Sequence, residues 1–129
     1  MLKKIVNTDK APSPVGPYNQ SIVAGDMVFI SGQIPLDAST GQLVSDSIES
    51  ETRQVMNNIG AVLEANGLDF EAVVSCSVFV KDMEDYGKIN AVYASYFQED
   101  TAPTRALVEV ARLPKDVNIE ISAIAYKHR

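Results

Sequence analysis

Hydrophobic and polar positions change period several times along this chain, and each change marks an element. The opening Met1-Leu2-Lys3-Lys4-Ile5-Val6 reads as a first strand. Ala11-Pro12-Ser13-Pro14-Val15-Gly16-Pro17-Tyr18 is Pro-rich and reads as a stiff, extended loop. Two β-rich runs, 21–24 and 27–31, flank Gly25-Asp26, the two-residue signal of a tight hairpin. Residues 35–47, rich in Asp, Ser, Thr and Gly, read as a loop. Ile48, Val55, Ile59, Val62 and Leu63 then fall at helical spacing, and Asn66-Gly67 closes that helix. Residues 73–80 predict a strand with Val74, Cys76, Val78 and Val80 on one face and Ser75, Ser77 and Phe79 on the other. Asp82 reads as the N-cap of a second helix whose Tyr86, Ile89, Tyr93, Tyr96 and Phe97 share a face. Residues 104–110 and 118–126 complete the strands.

The order is ββ(β)αβαββ, an α+β domain spanning residues 1–129, with two helices on one face of a mixed sheet. Its second sheet face has no helix to cover it. Three- or fourfold burial of that face against copies of the same chain is the expectation.

Composition narrows the chemistry. At 129 residues, 46% hydrophobic and 22% charged, the chain suits one soluble domain, with no run of membrane-spanning length and no signal-peptide pattern. A lone Cys76 excludes an internal disulfide and points to a reducing cytoplasm. The net charge of −6, with 11 scattered basic residues, disfavours a nucleic-acid surface. A single histidine, His128, beside the C-terminal residue, leaves no histidine triad or His/Cys zinc site to assemble within one chain. The seven glycines form no phosphate loop. Catalysis, if present, rests on Arg, Asp/Glu, Tyr, Ser, Asn, backbone groups and water.

Arg105 is the leading anomaly, a charge inside a short apolar strand. It must be paired, or must await an anion that its planar fork can grip. An ion pair to Glu109 or Glu120 is the structural alternative, and strand physics leaves the two level. Glu120 interrupts a second apolar run and could polarise a water near an arginine, although strand register is not fixed by sequence. Tyr18 could wall a small ligand, and Ser31-Gly32 could meet an anion through a hydroxyl and free N–H groups. Packing over the loop is the structural alternative for Tyr18, and turn chemistry, the usual role of Ser-Gly, is that for Ser31-Gly32. Asn90 lies within the second helix, where exposure is its usual state, and Cys76 reads as a small core residue.

Together these segments resemble the RidA/YjgF family of enamine/imine deaminases. The resemblance is carried by Gly16-Pro17-Tyr18-Asn19-Gln20, Ser31-Gly32-Gln33-Ile34-Pro35, Ile89-Asn90-Ala91-Val92-Tyr93, Arg105 through Asp116, and Ile119-Glu120-Ile121. It implies a chorismate-mutase-like fold and a homotrimer around a β-barrel, with clefts between subunits. It implies hydrolysis of 2-iminoacids such as 2-iminopropanoate and 2-iminobutanoate, formed from enamines such as 2-aminoacrylate, to 2-ketoacids and ammonia, without cofactor or metal. Position by position it assigns Arg105 to the carboxylate, Glu120 to the hydrolytic water, and Tyr18, Ser31, Gly32 and Asn90 to the pocket. Two positions depart from the pattern. Asn19 stands where many members have serine, and Leu107 where many have cysteine, so a smaller pocket is expected there. An endoribonuclease or translation inhibitor, and a ketoacid-binding regulatory trimer without turnover, are the rival functions.

Overall fold

The structure is a computed structural model describing residues 2–127. Its strands are β1 (Lys3–Val6), β2 (Ser21–Ala24), β3 (Met27–Gln33), β4 (Leu36–Asp37), β5 (Gln42–Leu43), β6 (Val73–Val80), β7 (Thr104–Glu109) and β8 (Ile119–Tyr126), and its α-helices are α1 (Ile48–Ala65) and α2 (Tyr86–Ala94). Six strands form one mixed sheet in the order β1-β2-β3-β8-β6-β7, with only β6 and β7 parallel. This is the expected α+β architecture. His128 lies outside the described residues.

Local chemistry explains the boundaries. Gly25 turns the β2–β3 hairpin with φ of 61°. Ser47 caps α1 by accepting from the Ser50 amide at 3.1 Å, and Gly67 ends it with φ of 75°. Val55, Met56, Ile59, Val62 and Leu63 of α1 are buried in one core with Ile119, Ile121, Ala123 and Ala125 of β8.

Three expectations change in detail. The 35–47 segment holds the short β4–β5 hairpin, which Asn58 of α1 anchors by donating to the carbonyls of Ile34 and Leu36. In β6 the register shifts between Val73 and Ser75, so Val73 is buried while Val74 is 40% exposed and leaves the face of Cys76. One extra residue in a strand reverses the alternation before it. Asp82 caps a 3-10 turn, Met83–Asp85, that leads into α2, and α2 stops at Ala94, so Tyr96 and Phe97 pack from beyond its end.

The sheet face away from the helices exposes Phe29, Val74, Val108 and Tyr126, each at least 40% accessible. No described helix is long and apolar enough to cross a membrane.

Gln20 holds the Pro-rich loop that carries Tyr18. Its buried amide nitrogen lies 2.9, 3.1 and 2.7 Å from the carbonyls of Thr8, Ala11 and Pro12, and its oxygen accepts from the Thr8 amide at 2.6 Å. Gln20→Ala strands these groups, and a loss of about 2–3 kcal/mol in urea unfolding is expected. A loss near zero is incompatible with this anchoring role.

Candidate active site

The residues expected to act together fall into two groups on opposite faces of the sheet. Odd positions of β7 share the helix-facing side with Cys76, Val78 and Val80, their parallel partners, which places Arg105 beneath α2. Even positions of β8 face away from the helices, which places Glu120 on the open side. Within one chain, therefore, Arg105 and Glu120 do not meet.

The first group is built on α2. Tyr86, Asn90 and Tyr93 stand at i, i+4 and i+7 on one stripe and meet the half-buried Arg105. Arg105 donates from Nη1 to Asn90 Oδ1 at 2.8 Å and from Nη2 to the Tyr86 hydroxyl at 3.0 Å. Its guanidinium carbon lies 4.9 Å from the Tyr93 ring centre and 5.6 Å from that of Tyr86, within cation–π range. No carboxylate forms an ion pair with Arg105 among the described residues. Glu109, the local candidate, instead accepts from the Met83 amide at 2.8 Å. A cleft of about 390 Å³ opens beside Arg105, Asn90, Tyr93, Phe97 and Glu99. Burial raises both the Cys76 thiol and the Tyr93 phenol above their ordinary ranges, so neither supplies an anion here.

The second group is built on a bulge. Ile30 pairs with Ala123 but Gln33 pairs with Ile121, so Ser31-Gly32 carries one extra residue opposite Ser122. Bulges re-aim side chains, and this one sets Gly32 directly against Glu120. A Cβ built on Gly32 would collide with the Glu120 carboxylate. The Ser31 hydroxyl donates to the Asn19 carbonyl at 2.5 Å, which leaves its oxygen as an acceptor. Tyr18, Ser31, Gly32, Lys115 and Glu120 line a cleft of about 400 Å³. Burial raises the Glu120 carboxyl above the usual carboxylate range, and no base forms an ion pair with it among the described residues.

The sequence reading missed three neighbours. The sequence places Tyr86 and Tyr93 on the apolar face of the second helix, and their spacing from Asn90 marks a shared stripe. Lys115 enters the second cleft through two consecutive left-handed residues, Lys115 at φ 56° and Asp116 at φ 57°. Arg112 braces that turn by donating from Nε to Asp116 at 2.8 Å. Leu107 belongs to neither cleft; its side chain packs against the core.

The family model described as Endoribonuclease L-PSP matches residues 8–127. A RutC family protein of Pyrococcus horikoshii is 53% identical over 126 residues, covering 98% of this chain and 99% of its own. The chain belongs to the RidA/YjgF family. Among its relatives, a Salmonella typhimurium protein named 2-iminobutanoate/2-iminopropanoate deaminase is 46% identical, covering 98% of this chain and 99% of its own. The crystal structure of E. coli TdcF with bound serine superposes with a TM-score of 0.91 at 43% identity, covering 97% and 99% of the two chains. In this RidA/YjgF member the Asn19 backbone carbonyl accepts from the Ser31 hydroxyl, while its side chain accepts from Asn7 at the surface.

Proposed function

We propose that the protein is a deaminase that hydrolyses 2-iminoacids, such as 2-iminopropanoate and 2-iminobutanoate, to 2-ketoacids and ammonia. The observation that carries this reading is the uncompensated charge of Arg105. Asn90 and Tyr86 hold its fork with neutral acceptors, so the guanidinium keeps its charge and three of about five donors for a carboxylate. The names of two relatives, one a 2-iminoacid deaminase and one holding serine, agree with a small amino- or imino-acid skeleton.

The chemistry needs little else. An iminium carbon is already electrophilic, so neither a covalent nucleophile nor a cofactor enters. Water oxygen bonds to that carbon while its proton passes to Glu120. Glu120 then protonates nitrogen and takes up the proton that the carbinolamine hydroxyl loses, carbon–nitrogen cleavage releases the ketoacid and ammonia, and ammonia leaves as ammonium with that proton. A carboxyl raised toward neutrality by burial suits a group that must both take and return a proton.

The separation of Arg105 from Glu120 belongs to the same proposal. A homotrimer would place the Arg105 half of one subunit against the Tyr18, Ser31 and Glu120 half of the next, with the exposed apolar sheet faces turned inward. The implied compartment is the cytoplasm, where pyridoxal-phosphate dehydratases acting on serine and threonine release these enamines.

The test is a coupled assay in which a threonine dehydratase supplies 2-iminobutanoate and the rate of imine loss is followed with and without the purified protein. A clear acceleration supports deamination. Binding of 2-oxobutanoate without any acceleration favours a regulatory trimer and defeats the enzyme reading.

A further inference from the structure

We propose that Tyr86 and Tyr93 are positioning residues that fix the orientation of the Arg105 fork, Tyr86 through its hydroxyl and Tyr93 through its ring. This rests on the reading of Arg105 as a carboxylate clamp. A bidentate pair forms only when the guanidinium presents one plane and one edge to the ligand. Arg105 reaches that geometry from β7, an edge strand of the sheet, on a long and flexible stem.

Two acceptors on different nitrogens stop the fork from rotating. Asn90 holds Nη1 at 2.8 Å, and the Tyr86 hydroxyl holds Nη2 at 3.0 Å. Removing either leaves one bond as a pivot. Beneath them the Tyr93 ring supports the guanidinium from 4.9 Å. That ring is itself held, being 6% exposed with its centre 4.9 Å from that of Phe97, which meets Phe70 edge-on at 5.5 Å. A chain of aromatic rings packed against the core thus fixes the bed on which the arginine lies.

The two tyrosines divide the work. The Tyr93 hydroxyl is buried against the Cys76 thiol, a weak partner, and makes no hydrogen bond of good geometry among the described residues. It has nothing to offer the cleft, so Tyr93 acts by its ring alone. Tyr86 is 40% exposed and meets Arg105 most directly through its oxygen.

The experiment compares Tyr86→Phe, Tyr93→Leu and Tyr93→Phe with wild type by steady-state kinetics on 2-iminobutanoate, by calorimetric Kd for 2-oxobutanoate, and by thermal melting. Tyr86→Phe is expected to raise KM and Kd about 5- to 10-fold, with kcat within about twofold and the melting transition preserved. Tyr93→Leu shifts both constants in the same direction, and Tyr93→Phe rescues them. Unchanged KM and Kd in Tyr86→Phe overturn the proposal, as does a Tyr93→Phe variant as impaired as Tyr93→Leu. Constants that change only in proportion to lost folded protein also overturn it. If wild type binds 2-oxobutanoate but does not accelerate imine loss, the deaminase reading fails while the Kd comparison still decides this one. If wild type binds no 2-oxobutanoate, the clamp and its positioning residues fall together.

Discussion

Subunits carrying Arg105→Ala and subunits carrying Glu120→Gln, each inactive alone, are expected to recover about one quarter of wild-type imine hydrolysis when unfolded and refolded together in equal amounts. Arg105→Ala removes both the charge and the orientation of a bidentate pair, a loss of about 100-fold or more in kcat/KM. Glu120→Gln keeps the shape but cannot accept a proton. The two residues lie on opposite faces of one sheet, so the proposed site takes Arg105 from one copy and Glu120 from its neighbour. In a random mixture a given site draws an intact Arg105 about half the time and an intact Glu120 about half the time. The product sets the recovery. Arg105→Ala refolded with the double variant Arg105→Ala/Glu120→Gln, a mixture in which no subunit keeps Arg105, serves as the control and should show no recovery. A mixed sample as inactive as its parents would show that no site is shared between copies.

Which parts of this arrangement were legible in the sequence depends on where the pattern was one-sided. The alternation of β8 is unambiguous: Ile119, Ile121, Ala123 and Ala125 are uniformly apolar, so Glu120 had to face the other way. The alternation of β7 is not, because Ala106 and Val108 are as apolar as Leu107, and nothing in the strand says which set meets the helices. Arg105 could therefore be recognised as a charge out of place, while its separation from Glu120 could not. Bulges hide for a related reason. The shift after Val73 leaves no mark in a run of valines, whereas the one at Ser31-Gly32 is signalled only by a glycine that also suits a turn. The left-handed pair Lys115-Asp116 carries no glycine or asparagine; the Asp116 and Val117 amides close the turn on the carbonyls of Leu113 and Pro114, and the exposed Arg112–Asp116 ion pair spans it. Tyr86 and Tyr93 were visible as a helical stripe with Asn90. Aromatic stripes at that spacing are usually core, and here the stripe serves the core and the arginine together.

Gly32→Ala is the sharpest single-residue test of the second half-site, because one added methyl group displaces a carboxylate and little else. The new Cβ would lie 2.9 Å from Glu120 Cδ, closer than such atoms approach, and in contact with a carboxylate oxygen. What yields is the far end of a side chain, not backbone, and Gly32 has no left-handed φ to lose. The fold should therefore survive, with stability changed by less than about 1 kcal/mol, while kcat falls about 100-fold through a misplaced proton acceptor. The pH behaviour gives an independent reading. Burial raises the Glu120 carboxyl, so its neutral form is the one the fold favours. That contribution is present below the carboxyl's unfolded value and is lost as pH rises through the higher folded value, the reverse of a salt-bridged carboxylate. Pushing the carboxylate toward solvent in Gly32→Ala removes the cause of the shift, so the carboxyl should titrate lower than in wild type. Carbon-13 NMR of the Glu120 side chain follows that titration directly. A wild-type titration curve in a variant that has lost activity would mean that Glu120 has not moved and that Gly32 serves the site through its backbone instead.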